Sequence, residues 1–192
     1  MTTSTSASTL ARVLTNALNP FAIFTALYAF VAFVEATVSE TLLFLAVELL
    51  AAAAVAGYVL LMRRRARVGN FWISARAERL TPALFLLAAF VGLLAVLALL
   101  DAPDNLFLLT LSMGLASATV AFITLFWKAS AHCTVSGHAA AAGLLLFGPL
   151  GLIFALALSL VLWARISPGA HTVPQALAGT AVGASFALLF LA

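Results

Sequence analysis

The chain has 192 residues, 65% of them hydrophobic and 8% charged, with a formal net charge of +3. No soluble domain of this size keeps so much apolar surface out of water, and no basic surface is broad enough for nucleic acid. The length suffices for roughly six or seven membrane-crossing helices and little else.

The expected fold class is therefore all-α: a polytopic membrane helical bundle, one integral membrane domain over residues 1–192. The single cysteine, Cys133, has no intrachain partner. The head "MTTSTSASTLARVLTNALNP" is polar, and the apolar run behind it is long enough to span rather than be cleaved as a leader. Spans are read from apolar runs bounded by polar or turn residues. The first is expected from Pro20 to Val38 and the second from Thr41 to Met62, together an N-terminal pair over 1–62. The basic stretch "RRRARVGNFWISARAERLTP" follows and opens the 63–192 core. A third span runs from Pro82 to Leu100, and "DAPDN" is a tight turn. A fourth runs from Asn105 to Trp127. "KASAHCTVSGHAAAAG" is polar at first and reads as helical by Ala139, in a fifth span ending at "GPLG". The sixth runs from Leu152 to Trp163, "RISPGAHTV" is a loop, and the seventh starts near Pro174.

Parity places the polar segments. Two spans separate the basic stretch from "KASAHCTVSGH", and two more separate that from "RISPGAHTV". An even number of crossings returns the chain to the same side, so all three share one face. Every Lys and Arg, from Arg12 to Arg165, falls at that face, while Glu35, Glu40, Asp101 and Asp104 occupy the opposite turns. The positive-inside rule puts the basic face in the cytoplasm of a bacterial or archaeal plasma (inner) membrane. Arg63, Arg64, Arg65 and Arg67 read as topology determinants, and Phe71 and Trp72 as interface residues.

The polar side chains of that face are Arg76 and Arg79; Lys128, Ser130, His132, Ser136 and His138; and Arg165, His171 and Gln175. Cations, histidines and hydroxyls without a carboxylate cluster suit a phosphate. Arginine offers two-pronged hydrogen bonds, and a helix start offers free N–H groups. One histidine can attack phosphorus while another protonates the leaving oxygen. A metal fits less well, since no carboxylate or second cysteine lies at ligand spacing. No cofactor is expected. Arg165 and Lys128 at span ends also suit simple interfacial anchoring. Glu48, an acid inside the second span, suits either a packing hydrogen bond or a site role.

Arg165, five residues and then His171 resembles the third motif of the type 2 phosphatidic acid phosphatase superfamily; the second, a Ser-Gly-His at a helix start, is resembled by Ser136-Gly137-His138, and the first by the basic stretch. The likeness covers Arg76 to Gly183 and leaves the first two spans outside. It is similar to a divergent branch reading Lys-x-Ser-x-His and then Arg-x5-His-Thr-x-x-Gln-x-x-x-Gly, matched here by Lys128, Ser130, His132, Arg165, His171, Thr172, Gln175 and Gly179. Gln175 stands where the wider family has aspartate, and the first motif lacks its Arg-Pro pair.

The resemblance implies a membrane helical bundle that removes phosphate from lipid phosphates or prenyl (di)phosphates through a phosphohistidine. His171 would be the nucleophile, with Gln175 orienting it. Arg165, Lys128, Ser130, Arg79 and Arg76 would hold phosphate, and a second-motif histidine would be the acid. Two triplets compete for that acid. Ser130-Ala131-His132 is preferred to Ser136-Gly137-His138, because a hairpin returning to Arg165 has better matched arms from His132. The expected partners are an amphiphilic phosphate and membrane lipid. The rival readings are an inactive lipid-phosphate-binding scaffold and a small anion or lipid transporter.

Overall fold

The structure, a computed structural model, describes residues 3–73 and 75–192; for residues 3–7 and 76 it describes the backbone only. Helix α1 (Thr3–Ala17) leads into α2 (Pro20–Glu35). Asn19 starts α2: its Oδ1 accepts from Ala22 N at 3.0 Å, and Pro20 at the first helical position needs no partner for a missing N–H. Helix α3 (Val38–Arg64) starts with a reciprocal cap between Thr37 and Glu40 and ends on Arg63 and Arg64, cations suited to a helix C-terminus. An irregular segment with one 3-10 turn at Arg76–Glu78 joins it to α4 (Leu80–Leu99). Then come α5 (Asp104–Thr124), α6 (Ala131–Phe147), a 3-10 turn at Gly148–Gly151, α7 (Leu152–Ile166) and α8 (Val173–Leu191). The described residues contain no strand.

Five apolar segments are long enough to cross a membrane: Val38–Arg64, Leu80–Leu99, Asp104–Thr124, Ala131–Ile166 and Val173–Leu191. A sixth arises if Ser8–Ala17 and Pro20–Glu35, bent by 43°, count as one. The chain is an all-helical integral membrane protein, its outer face carrying side chains such as Leu50, Leu99 and Leu189 that only lipid tolerates in such density.

The expected seven separate spans differ in two places: α2, with 16 residues, reaches span length only together with α1, and α6 and α7 form one hairpin. Ala131–Ile166, 36 residues, folds back on itself. Gly148, at φ +56, takes a backbone conformation that glycine favours, and the chain reverses there. The backbones of Gly143 and Gly151 then touch, leaving no room for a Cβ on Gly151. The arms of 17 and 15 residues measure about 25 and about 22 Å, short of the ~30 Å hydrocarbon core. The tip nevertheless comes close to the acidic end: Phe147 and Phe154 pack edge-on against Phe30 at 5.3 and 6.3 Å, a little over one turn before Glu35.

Helix α6 is the axis of the bundle, packed most closely on α8 and also against α7 and α2. Small residues permit the α6–α8 approach. A Cβ on Gly137 would sit 2.6 Å from Thr180 O, one on Gly179 would sit 2.5 Å from Ser130 O, and one on Gly183 would collide with Thr134 O.

The polar head forms α1, with Ala11 and Thr15 buried and the helix packed on α7. Helix α6 starts at Ala131, as the preferred hairpin arm from His132 requires, because Ser130 caps it and its Oγ accepts from Cys133 N at 3.4 Å. Helix α8 starts at Val173, one residue from the expected Pro174, so His171 lies outside it and Gln175 belongs to its first turn.

Candidate functional site

Three connecting segments converge at the basic end of the bundle. The Arg165 carbonyl, on the last turn of α7, accepts from His171 N at 3.0 Å, which fixes the intervening turn. Lys128 Nζ donates to Ala170 O at 2.9 Å, tying the α5–α6 connection to the α7–α8 connection. Ser130 N donates to Gln175 O at 3.3 Å, joining the starts of α6 and α8. Arg79 Nε donates to Ile73 O at 2.9 Å, which stiffens the segment ahead of α4. The Trp72 ring meets the His132 ring edge-on at 4.8 Å between centroids.

The charges at this end act on one another. Lys128 feels Arg79 and Arg165; His171 feels Arg165, Lys128 and Arg79; His132 feels Arg165 and His171. Among the described residues no carboxylate acts on Lys128 or on His171. Burial first, then the neighbouring cations Arg165, Lys128 and Arg79, push the His171 imidazole from its usual value of 6.5 to about 4, while a hydrogen bond with Gln175 works the other way. Burial, then Arg79 and Arg165, hold the Lys128 ammonium below its ordinary value, and burial does so for Arg79. His132 and His171 are 6% and 7% exposed, so each needs partners for its ring nitrogens. Yet His132 Nε2, Arg165 Nε and His171 Nδ1 are buried without one. Such atoms cost about 1–3 kcal/mol each when left unsatisfied. Clustered cations with the open Arg165 Nε–H suit an anion that accepts several hydrogen bonds, such as a phosphoryl group.

Gln175 has a second task. Its Oε1 accepts from Thr172 N at 3.1 Å, completing a reciprocal cap with the Thr172 hydroxyl. The amide is thus fixed in place beside His171.

The other candidates lie elsewhere. His138 is fully buried in the α5–α6–α8 core, its Nε2 2.7 Å from Ser112 Oγ. Ser136 donates to His132 O at 2.8 Å, and Gly137 makes the close contact with Thr180. The Ser136-Gly137-His138 triplet therefore packs helices and does not reach Arg165. The side chain of Arg76 lies outside the described residues. Glu48 accepts from Thr25 Oγ1 at 2.9 Å within the α2–α3 pair, roughly 24 Å down α3 from its basic end by helix rise. Arg63, Arg64, Arg65 and Arg67 are exposed. Two neighbours escape sequence reasoning: Trp72, expected in the interface but packed on His132, and Cys133, beside Arg165. Nothing in their spacing separates them from ordinary belt and core residues. Among the described residues no three His, Cys, Asp or Glu are placed to hold a metal ion. No protein-family model, no curated protein and no solved structure matches the chain.

Proposed function

We propose that the chain is a membrane-embedded phosphohydrolase that removes phosphate from an amphiphilic lipid phosphate or prenyl (di)phosphate. The observation that carries this reading is the meeting of Arg165, Lys128, Arg79, His171 and His132 at one bundle end, with no carboxylate acting on Lys128 or His171. In the first step a neutral His171 ring nitrogen attacks phosphorus, an N–P bond forms, and the P–O bond to the leaving group breaks. The leaving oxygen takes a proton from the imidazolium form of His132, which the negative charge of the bound phosphate stabilises beside Arg165 and His171. In the second step water attacks phosphorus, the N–P bond breaks, and the water's proton passes to His132. Arg165, Lys128 and Arg79 take up the charge on the phosphoryl oxygens, and Ser130 with the free N–H groups at the start of α6 adds donors. The basic end faces the cytoplasm by the charge rule, so the substrate is one made inside the cell.

The test is phosphate release by the purified protein from alkyl phosphates, phosphatidate and prenyl mono- and diphosphates, with His171→Ala as control. Release by the parent and none by the variant supports the reading; equal release by both overturns it.

One observation favours a second reading, a binder without turnover. Gln175 cannot carry the charge of an aspartate, and its oxygen is already engaged by Thr172 N. Tight binding of alkyl phosphates with no release from any substrate selects that reading. Anion flux in liposomes without hydrolysis selects a transporter.

A further inference from the structure

The site accounts for a phosphate head but not for the chain attached to it. Two apolar furrows on the bundle could take one. The first, about 430 Å³, lies between α3 and α4. At its basic end the Tyr58 and Phe85 rings stack at 4.2 Å, and neither furrow wall carries a residue of the site. The second, about 390 Å³, lies between α2 and α3 and is lined by Phe21, Leu49, Ala53, Ala56 and Trp72 among others. Small side chains of α3 make the trough, and Leu49 forms its floor, about 10 Å below Ala56 by helix rise.

The two furrows differ in what closes them. Trp72 is a wall of the α2–α3 furrow, and the same indole packs on His132 at 4.8 Å. Its Nε1 donates to Asn16 Oδ1 at 3.3 Å, which anchors the ring at the α1–α2 junction. Asn19, at the furrow's rim, in turn donates to Asn16 O at 2.7 Å. One side chain thus separates the trough from the buried, unpartnered Nε2 of His132 by a single ring.

We propose that the α2–α3 furrow seats the hydrocarbon chain of the amphiphilic phosphate whose head occupies the cationic site, and that Trp72 is the residue over which chain and head join. This rests on the reading of that site as a phosphate site. The ligand class is a phosphate or diphosphate on one unbranched or prenyl chain, entering sideways from the bilayer rather than from water.

The experiment is photolabelling of the full-length protein in nanodiscs by dodecyl phosphate carrying a mid-chain diazirine, with the same chain on a neutral glucoside as control. Labelled peptides are mapped by mass spectrometry. The phosphate probe is expected to mark the stretch around Leu49–Ala56 together with Phe71 and Trp72, well above the glucoside probe. Ala53→Phe, which fills the trough from a lipid-facing position, is expected to exclude the chain sterically and bring that labelling down to the level of the glucoside probe. Ala89→Phe, in the α3–α4 furrow, leaves it unchanged. Labelling centred on α3–α4, equal labelling by the glucoside, or labelling indifferent to Ala53→Phe overturns the assignment. Phosphate release from the same probe in the dark is read separately. Furrow labelling without release sinks the hydrolase and keeps the furrow; release without furrow labelling does the reverse.

Discussion

At the scale of single residues, His171 has the properties a nucleophile needs. Its imidazole is neutral at pH 7, held at about 4 by burial and three cations. An NMR titration of labelled His171 should show protonation near that value in the free protein, and inorganic phosphate should raise it, because the bound anion offsets the cations. A value near the ordinary 6.5 with no response to phosphate would place the ring outside any anion site. The sign for stability follows. Between 6.5 and about 4 the unfolded chain binds a proton that the folded chain refuses. The contribution is complete above 6.5 and is lost as pH falls through that window. His171→Ala should leave a folded protein without turnover, since the residue lies in a connection and its removal takes away a buried ring nitrogen that has no partner. Gln175→Ala should lower turnover by roughly 10²–10⁴-fold, the range of positioning and proton-transfer groups, and kinetics on one alkyl phosphate measure it; an unchanged rate means that the amide only caps α8. His132→Ala should hurt a poor leaving group far more than a good one, and His138→Ala should hurt both alike through packing. The reverse pattern would exchange the two roles.

At the scale of elements, the site depends on how closely α6 and α8 approach. Gly183→Val places a side chain against Thr134 O and the backbone of His138. Overpacking of this kind costs about 1–3 kcal/mol, so melting in detergent should fall by several degrees and turnover with it, because Ser130 and Gln175 share the contact that is pushed apart. Unchanged melting would show that α8 shifts at no cost. The elements also show what could be read from the sequence. Length and hydropathy fix the cores of α3, α4, α5 and α8, because a bilayer demands long apolar runs whatever they pack against. They do not fix α1. Its burial of Ala11 and Thr15 depends on α7, which no local pattern reveals. The start of α6 was ambiguous for a similar reason. Two Ser-x-His triplets six residues apart look alike on paper, and only the contacts of Ser130 with α8 and of His138 with Ser112 separate them.

At the scale of the molecule, parity made the meeting of distant residues legible: Arg79, Lys128 and Arg165 act on one another although they sit on three different connections. The α6–α7 hairpin returns to its starting face whether or not it crosses fully. The C-terminus therefore lies opposite the basic face, four crossings and one return before α8. A C-terminal reporter should read as non-cytoplasmic and one placed in the segment after Arg64 as cytoplasmic. The opposite pair of readings would turn the site to the outside and change the pool of substrates it meets. What parity could not show is Trp72, whose contact with His132 arises from the fold of an irregular segment.

The α6–α7 hairpin is also a lever. Its fulcrum is the Gly143–Gly151 contact near the acidic end, and its free ends carry His132 and Arg165. On an arm of about 22 Å, a tilt of about 3° moves Arg165 by about 1 Å, a displacement that can cost on the order of a hundredfold in rate. The stiffness of two glycines toward the acidic end thus bears on how Arg165 and His132 are aligned at the basic one.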